Sequence, residues 1–208
     1  MRVVKPAEER RNEILDVAEQ LFVEKGFDNA STNDIIHKIG IARGTLYYHF
    51  ESKEEILDAI VERMGHERIA RAAAIIADRN VPLLERLTGA VLALNLDSGV
   101  GVEVLEQMHK PQNALLHQKM QDSMIEGVVP LFAKLIAEGN EIGIFDTKYP
   151  SEAAEMIVIY SNTAFDALAG LSPEEMEKKS RAFIYHVERV LGAGEGGLTR
   201  AISGVFSR

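Results

Sequence analysis

Positions 43 to 53 read Arg43-Gly44-Thr45-Leu46-Tyr47-Tyr48-His49-Phe50-Glu51-Ser52-Lys53, a run that gathers a guanidinium, an ammonium, an imidazole and several hydroxyls around one glycine. Such groups hydrogen-bond phosphate oxygens and the edges of bases. Gly44, without a side chain, would let the backbone come close to a duplex. A plainer reading also fits, in which Tyr47 and Tyr48 cover a helical core and His49 is an ordinary surface residue. Enzymatic chemistry has less to build on. Glu103, Glu106, His109 and His117 offer acid and base groups, yet no nucleophile stands at motif spacing from a base and there is no phosphate loop, so no catalytic residue is assigned. His109 and His117 are eight positions apart and lack the company a metal ion needs, so neither a metal site nor a cofactor is expected. The absence of cysteine excludes disulfides, thiolate ligands and cysteine nucleophiles.

The elements that would position these groups are helices. Apolar residues recur three and four apart, and alternating β-branched runs are missing, so the fold class is all-α with about nine or ten helices. At 208 residues, 46% of them hydrophobic and 26% charged, the chain is long enough to bury a sizeable core. A first helix over 8–25 carries Ile14, Leu15, Ala18, Leu21 and Phe22 on one face, ends at Gly26, and is followed by Phe27 folding back on that face. Ser31 and Asp34 form a capping box for a short helix that offers Ile35, Ile36 and Ile39 and stops at Gly40. A second short helix over 42–50 buries Leu46 and Phe50 and turns Arg43, Thr45, Tyr48 and His49 to solvent. Ser52 and Glu55 cap a long helix reaching Asp78. Further helices are expected over 80–96, 102–110, 111–138 with Pro130 inside it, 151–170, and from the cap Ser172-Pro173-Glu174-Glu175. Gly139, Gly143 and Pro150 mark a loop, and Gly192 to Gly197 read as a flexible hinge before a short amphipathic tail.

The net charge of −9 is unevenly spread. Residues 1–53 hold eight Lys or Arg against nine Asp or Glu, and the rest hold fifteen against twenty-three. Between Thr32 and Lys53 the balance turns positive, with Lys38, Arg43 and Lys53 against Asp34 and Glu51. A small basic face thus sits on an acidic chain. No apolar stretch approaches the ~18 residues of a membrane span, and the first residues lack the apolar core of a secretory signal, so a cytoplasmic location without a membrane partner is expected.

Two short helices joined by a glycine-containing turn and braced by a preceding helix make a helix-turn-helix. Ile35, Gly40, Ile41, Gly44-Thr45-Leu46-Tyr47-Tyr48-His49-Phe50 and Ser52-Lys53-Glu54, with the upstream Leu21-Phe22 and Gly26-Phe27, resemble the TetR family of bacterial repressors over residues 8 to 60. Farther along, only the arrangement of helices is similar. The resemblance implies a helix-turn-helix DNA-binding domain over 1–53 and a larger helical ligand-binding and dimerisation domain over 54–208. It implies that Thr32, Tyr48, His49 and Lys53 grip phosphates while Asn33, Arg43, Gly44, Thr45 and Tyr47 lie nearest the major-groove edges, with Arg43 placed to read a guanine. The chain departs from the family pattern at Ile36 and Ile39, where small alanines are usual, and at Ala42, where a capping serine is usual; loss of that cap costs about 1 kcal/mol.

The same resemblance implies three partners: a double-stranded DNA operator, a second copy of the chain and a small-molecule effector. Ala153, Ala154, Ile157, Ser161, Ala164 and Leu168 form one stripe, and Phe183, Ile184, Val187, Val190 and Leu191 form another. Either they pair with the same two long helices of a second copy as a four-helix interface, or they face the core of the single chain. Effector contacts are expected from Met108, Met120, Met124, Tyr160 and Phe165, near Leu92, Leu116 and Phe132, with His109, His117, Asn162 and Asp166 as polar groups that orient the ligand. The expected function is a repressor homodimer that reads a pseudo-palindromic operator and is released by its effector. Its rivals are an α-helical enzyme and a helical adaptor that has lost DNA binding; Arg43, Tyr47, Tyr48, His49 and Lys53 speak against the adaptor.

Overall fold

A computed structural model describes residues 6–94, 107, 109–166, 172–194 and 196–202. Among them the regular structure is helical, as the apolar periodicity requires: α1 (Ala7–Lys25), α2 (Thr32–Ile39), α3 (Arg43–His49), α4 (Lys53–Ala77), α5 (Leu83–Leu94), a 3₁₀ turn Pro111–Asn113 leading into α6 (Ala114–Glu141), α7 (Pro150–Asp166), α8 (Pro173–Leu191) and α9 (Gly197–Ile202). Most of the helix expected over 102–110, with Glu103, Glu106 and Met108, lies outside the described residues, as does Leu168.

Contacts divide the chain into two compact units, 1–66 with 96–120, and 67–95 with 121–208. The expected boundary at 53 is the first residue of α4, and the first unit runs on beyond it for a packing reason. Ile56, Leu57, Ile60 and Val61 of α4 are buried with Ile14, Leu15 and Phe22 of α1, Ile35 of α2, Leu46 of α3 and Phe50. Leu116 of α6 is buried in that same cluster and Met120 packs against it.

Local chemistry sets the ends of these elements. The Ser31 hydroxyl accepts from the Asp34 N–H while the Asp34 carboxylate accepts from the Ser31 N–H, closing the box that starts α2. Lys25, 2.7 Å away, and the Ser31 donors hold the Asp34 carboxyl well below the usual range. Gly40 ends α2 at φ 75° and ψ 34°, the left-handed cap. Ala42 precedes α3 with no side-chain cap, so only its carbonyl engages, accepting from the Thr45 N–H at 2.9 Å. At the start of α4 the Ser52 hydroxyl accepts from Glu55 N–H as expected, but the Glu55 carboxylate reaches back to the Glu51 N–H.

In the second unit, Arg86 is a buried cation that the apolar reading of its helix did not single out. Its guanidinium donates to both Glu138 oxygens and to the carbonyls of Ile76 and Val81, which offsets the cost of taking a charge out of water. The Ser172–Glu175 capping box opens α8 as its sequence announces. Two expectations are corrected here. Gly139 is not a loop residue: α6 continues to Glu141, and the bare Cα of Gly139 lies under the Phe145 ring, where a Cβ would come within 2.1 Å of it. Nor is the glycine segment a slack hinge. The buried Glu188 carboxylate accepts from the N–H groups of Gly196, Leu198 and Thr199 and from the Thr199 hydroxyl, which docks α9 and buries Leu198. Burial pushes the Glu188 carboxyl up, but these hydrogen bonds together outweigh it and leave it below its ordinary value.

The two apolar stripes divide by burial, with Ile157, Ser161, Ala164, Phe183 and Val190 half-buried. Ala153, Ala154, Ile184, Val187 and Leu191 are buried inside the second unit. The apolar side chains left open on those helices are Met156, Ile159 and Tyr160 of α7 and Tyr185 of α8.

Gly139→Val should lower unfolding stability in urea by about 1–3 kcal/mol through overpacking, whereas Gly65→Ala, whose Cβ meets nothing within 4 Å, should raise it by about 1 kcal/mol. Because the folded-state Glu188 carboxyl is depressed, its stabilisation is present above the unfolded value and lost as pH falls through the folded one. Thermal melts below about pH 4.3 should therefore fall more steeply for the natural chain than for Glu188→Gln.

Candidate nucleic-acid interface

The helix-turn-helix has one buried and one open side. Ile35 and Leu46, both 0% exposed, turn inward, and Ile36 and Ile39 pack half-buried on the same core. Facing out are Asn33 of α2 and Arg43, Gly44, Tyr47 and Tyr48 of α3, with Tyr48 78% exposed. Thr32, Thr45, His49 and Lys53 are half-buried, so Thr45 and His49 are less open than the sequence suggested. Gly44 has no positive φ, and an added Cβ would meet nothing within 4 Å. Neither backbone nor packing inside the chain accounts for glycine there.

Three of the expected contact residues converge. The Thr32 and Tyr47 hydroxyls are 3.3 Å apart, and the Arg43 guanidinium lies over the Tyr47 ring at 5.3 Å. The hydrogen bond with Thr32, and then Arg43, lower the Tyr47 phenol below its usual range. This joins the first residue of α2 to the first turn of α3 in one polar group. Beside it, the Tyr48 and His49 rings meet edge to face at 5.0 Å. Burial, then the charges of Arg11 and Arg10, push His49 down toward its neutral form.

Lys53 does more than wait at a helix start. Its ammonium donates to the carbonyls of Phe27 at 2.7 Å and Ala30 at 3.0 Å and lies 4.2 Å from the Phe27 ring centre. The α1–α2 loop is thereby held to the first residue of α4. The same loop is gripped from elsewhere: Lys110 donates to Asp28 at 2.6 Å, holding that carboxyl below its usual range. Asp28 and Lys110 are 82 positions apart, and no local pattern pointed to either.

The expected effector contacts are dispersed over the two units. His109 and His117, with rings 5.1 Å apart, belong to the first unit, as does Met120. Met124 packs on the second core, and the rings of Tyr160 and Phe165 both meet Phe183, at 5.6 and 5.3 Å. Tyr160 is half exposed on the open side of α7, and Asn162, two residues on, is half-buried. Asp166 is the last residue of α7; its side chain, like Met108, lies outside what is described. Among the described residues no group of three or more metal-ligating side chains occurs, and no helix is long and apolar enough to cross a membrane.

Comparison with known proteins bears on this arrangement. Residues 14–60 match the model for bacterial regulatory proteins of the tetR family, and residues 98–185 match that for the tetracyclin repressor-like C-terminal domain. The HTH-type transcriptional repressor KstR2 of Mycobacterium tuberculosis is 37% identical over 92 residues, 44% of this chain and 46% of that protein. The HTH-type transcriptional regulator TtgW of Pseudomonas putida is 30% identical over 122 residues, 56% of this chain and 80% of that protein. The alignment thus spans about half the length of several curated relatives. A solved regulator of the TetR/AcrR family from Thermobifida fusca is 26% identical, with 90% of this chain and 98% of that chain covered at a TM-score of 0.55. These relatives are regulators of transcription, not enzymes.

Replacing Lys53 by Met removes a charged donor from two loop carbonyls and should reduce unfolding stability by about 1–3 kcal/mol in urea. Lys53→Arg, which keeps donors in reach, should recover part of the loss.

Proposed function

The chain belongs to the TetR family of bacterial regulatory proteins, and on that footing we propose that it is a ligand-responsive repressor which binds a pseudo-palindromic operator as a homodimer. The observation that carries this reading is the outward cluster of Thr32, Arg43 and Tyr47 on a helix-turn-helix whose opposite side is fully packed. In it, Arg43 offers a guanidinium to a guanine edge, Asn33, Gly44, Thr45 and Tyr47 lie along the major groove, and Thr32, Tyr48, His49 and Lys53 hold the phosphates. Two Lys53 protons are engaged by carbonyls, which leaves the third for a phosphate.

The second copy docks, in this proposal, on the open apolar side of the last two long helices, around Met156, Ile159, Tyr160 and Tyr185. A twofold pair would set two α3 helices about 34–36 Å apart, one turn of DNA. A small-molecule effector binds the helical part of the chain that follows the helix-turn-helix. It favours a state in which the α3 spacing no longer matches DNA. By linkage, operator and effector weaken each other by the same factor. The site of action is the cytoplasm, where the chromosome lies.

A duplex enriched by the protein from a random-sequence pool tests the reading. Binding should weaken steeply as salt rises, the enriched sequence should show twofold symmetry, and native mass spectrometry should find two chains per duplex. Arg43→Ala should lose about 1–3 kcal/mol of discrimination at one base pair per half-site while keeping the salt dependence. No enriched duplex, or binding indifferent to salt, would sink the proposal.

A further inference from the structure

Four arginines fall between residues 6 and 66, and their surroundings sort them into two kinds. Arg10 is ion-paired with Glu13, and Arg63 reaches Asp16 and Glu19 at 2.7 Å each. Arg11 and Arg43 have no carboxylate in ion-pairing distance among the described residues. Each lies instead over an aromatic ring: Arg43 over Tyr47 at 5.3 Å near the start of α3, and Arg11 over Phe50 at 5.1 Å just past its end. An aromatic face holds a guanidinium through its quadrupole without neutralising it. Around the helix-turn-helix, Lys25, Lys38 and Lys110 are matched to Asp34, Glu24 and Asp28. Within an acidic chain, two guanidiniums have thus been kept in place and kept charged, one at each end of the recognition helix.

We propose that Arg11 is a phosphate-binding residue that clamps the DNA backbone beside Tyr48 and His49, at the end of α3 opposite Arg43. The assignment rests on the DNA-binding reading above. Arg11 is exposed, and the Phe50 ring restrains its side chain in advance, so less freedom is lost when the guanidinium forks onto a phosphate. The neighbouring histidine is the poorer source of charge. Burial and the nearby Arg11 and Arg10 favour neutral imidazole, which donates a hydrogen bond but displaces no counterion. A phosphate at this end of α3 therefore takes its hydrogen bond from His49 and its counter-charge from Arg11.

The experiment measures affinity by fluorescence anisotropy, for the duplex enriched by the natural protein, across about 50 to 200 mM salt. Arg11→Gln should reduce the slope of log affinity against log salt by about 0.9 per protomer, or about 1.8 for a bound dimer. The ranking of single base-pair substitutions in the duplex should stay as it was. Arg11→Lys should keep most of the slope, and His49→Gln should weaken binding with the slope unchanged. An unaltered slope in Arg11→Gln, with circular dichroism showing a folded chain, would overturn the assignment. So would an equal loss of affinity in the Gln and Lys variants at constant slope, which would trace the effect to packing on Phe50. If the natural protein enriches no duplex at all, the DNA-binding reading fails first and takes this assignment with it.

Discussion

The arrangement of the helix-turn-helix depends on one ammonium group. Lys53 begins α4, yet two of its N–H groups donate to the carbonyls of Phe27 and Ala30, which belong to the loop between α1 and α2 and have no helical N–H of their own to accept from. A loop of this length would otherwise present its carbonyls to water and shift with them. Tied to Lys53, and on its other side to Lys110 through Asp28, it fixes where Ser31 can cap α2. From that cap follows the position of Thr32, and from Thr32 the position of the Tyr47 hydroxyl on α3. The face that is proposed to read DNA is thus set by contacts that lie behind it.

A protein of net charge −9 that is to meet a polyanion has to control where its cations go. Here several are cancelled locally. Lys25, Lys38, Arg10, Arg63 and Lys110 each face a carboxylate, and Arg86 is fully enclosed by acceptors. Exposed pairs of this kind contribute little to stability, about 0–1 kcal/mol each. Their larger effect is to silence positive charge over most of the first unit. Among the described residues of the first unit, the guanidiniums that escape cancellation are those on aromatic rings at the two ends of α3. Local field, not net charge, then decides what the surface attracts.

The helix-turn-helix was legible in the sequence because its determinants are local. The Ser31–Asp34 and Ser172–Glu175 boxes, the glycine at 40 and the inward register of Ile35 and Leu46 can all be read from spacing within a few residues. Where the sequence misled, a distant partner had decided the outcome. Gly139 looked like a helix end until Phe145 was seen to occupy the space beside its Cα. The glycines after α8 looked slack because nothing nearby announces that Glu188 will collect the first amides of α9. The stripes on α7 and α8 read as apolar faces, but periodicity cannot say whether a core or a second copy will cover them. The ring under Arg11 and the anchor of Lys53 lie farther still from any local pattern, since both are contacts across tens of residues.

Two helices run unbroken from one compact unit into the other: α4 crosses between residues 66 and 67, and α6 between 120 and 121. A helix transmits displacement only as far as its hydrogen-bond ladder stays intact, so the residues at such crossings matter. In α4 the crossing is preceded by Gly65, a buried helix-interior glycine whose conformation is ordinary and whose missing Cβ no neighbour requires. Glycine there forgoes about 1 kcal/mol of helix propensity relative to alanine, and packing offers nothing in return. Alanine at 65 would therefore stiffen α4 without disturbing its neighbours.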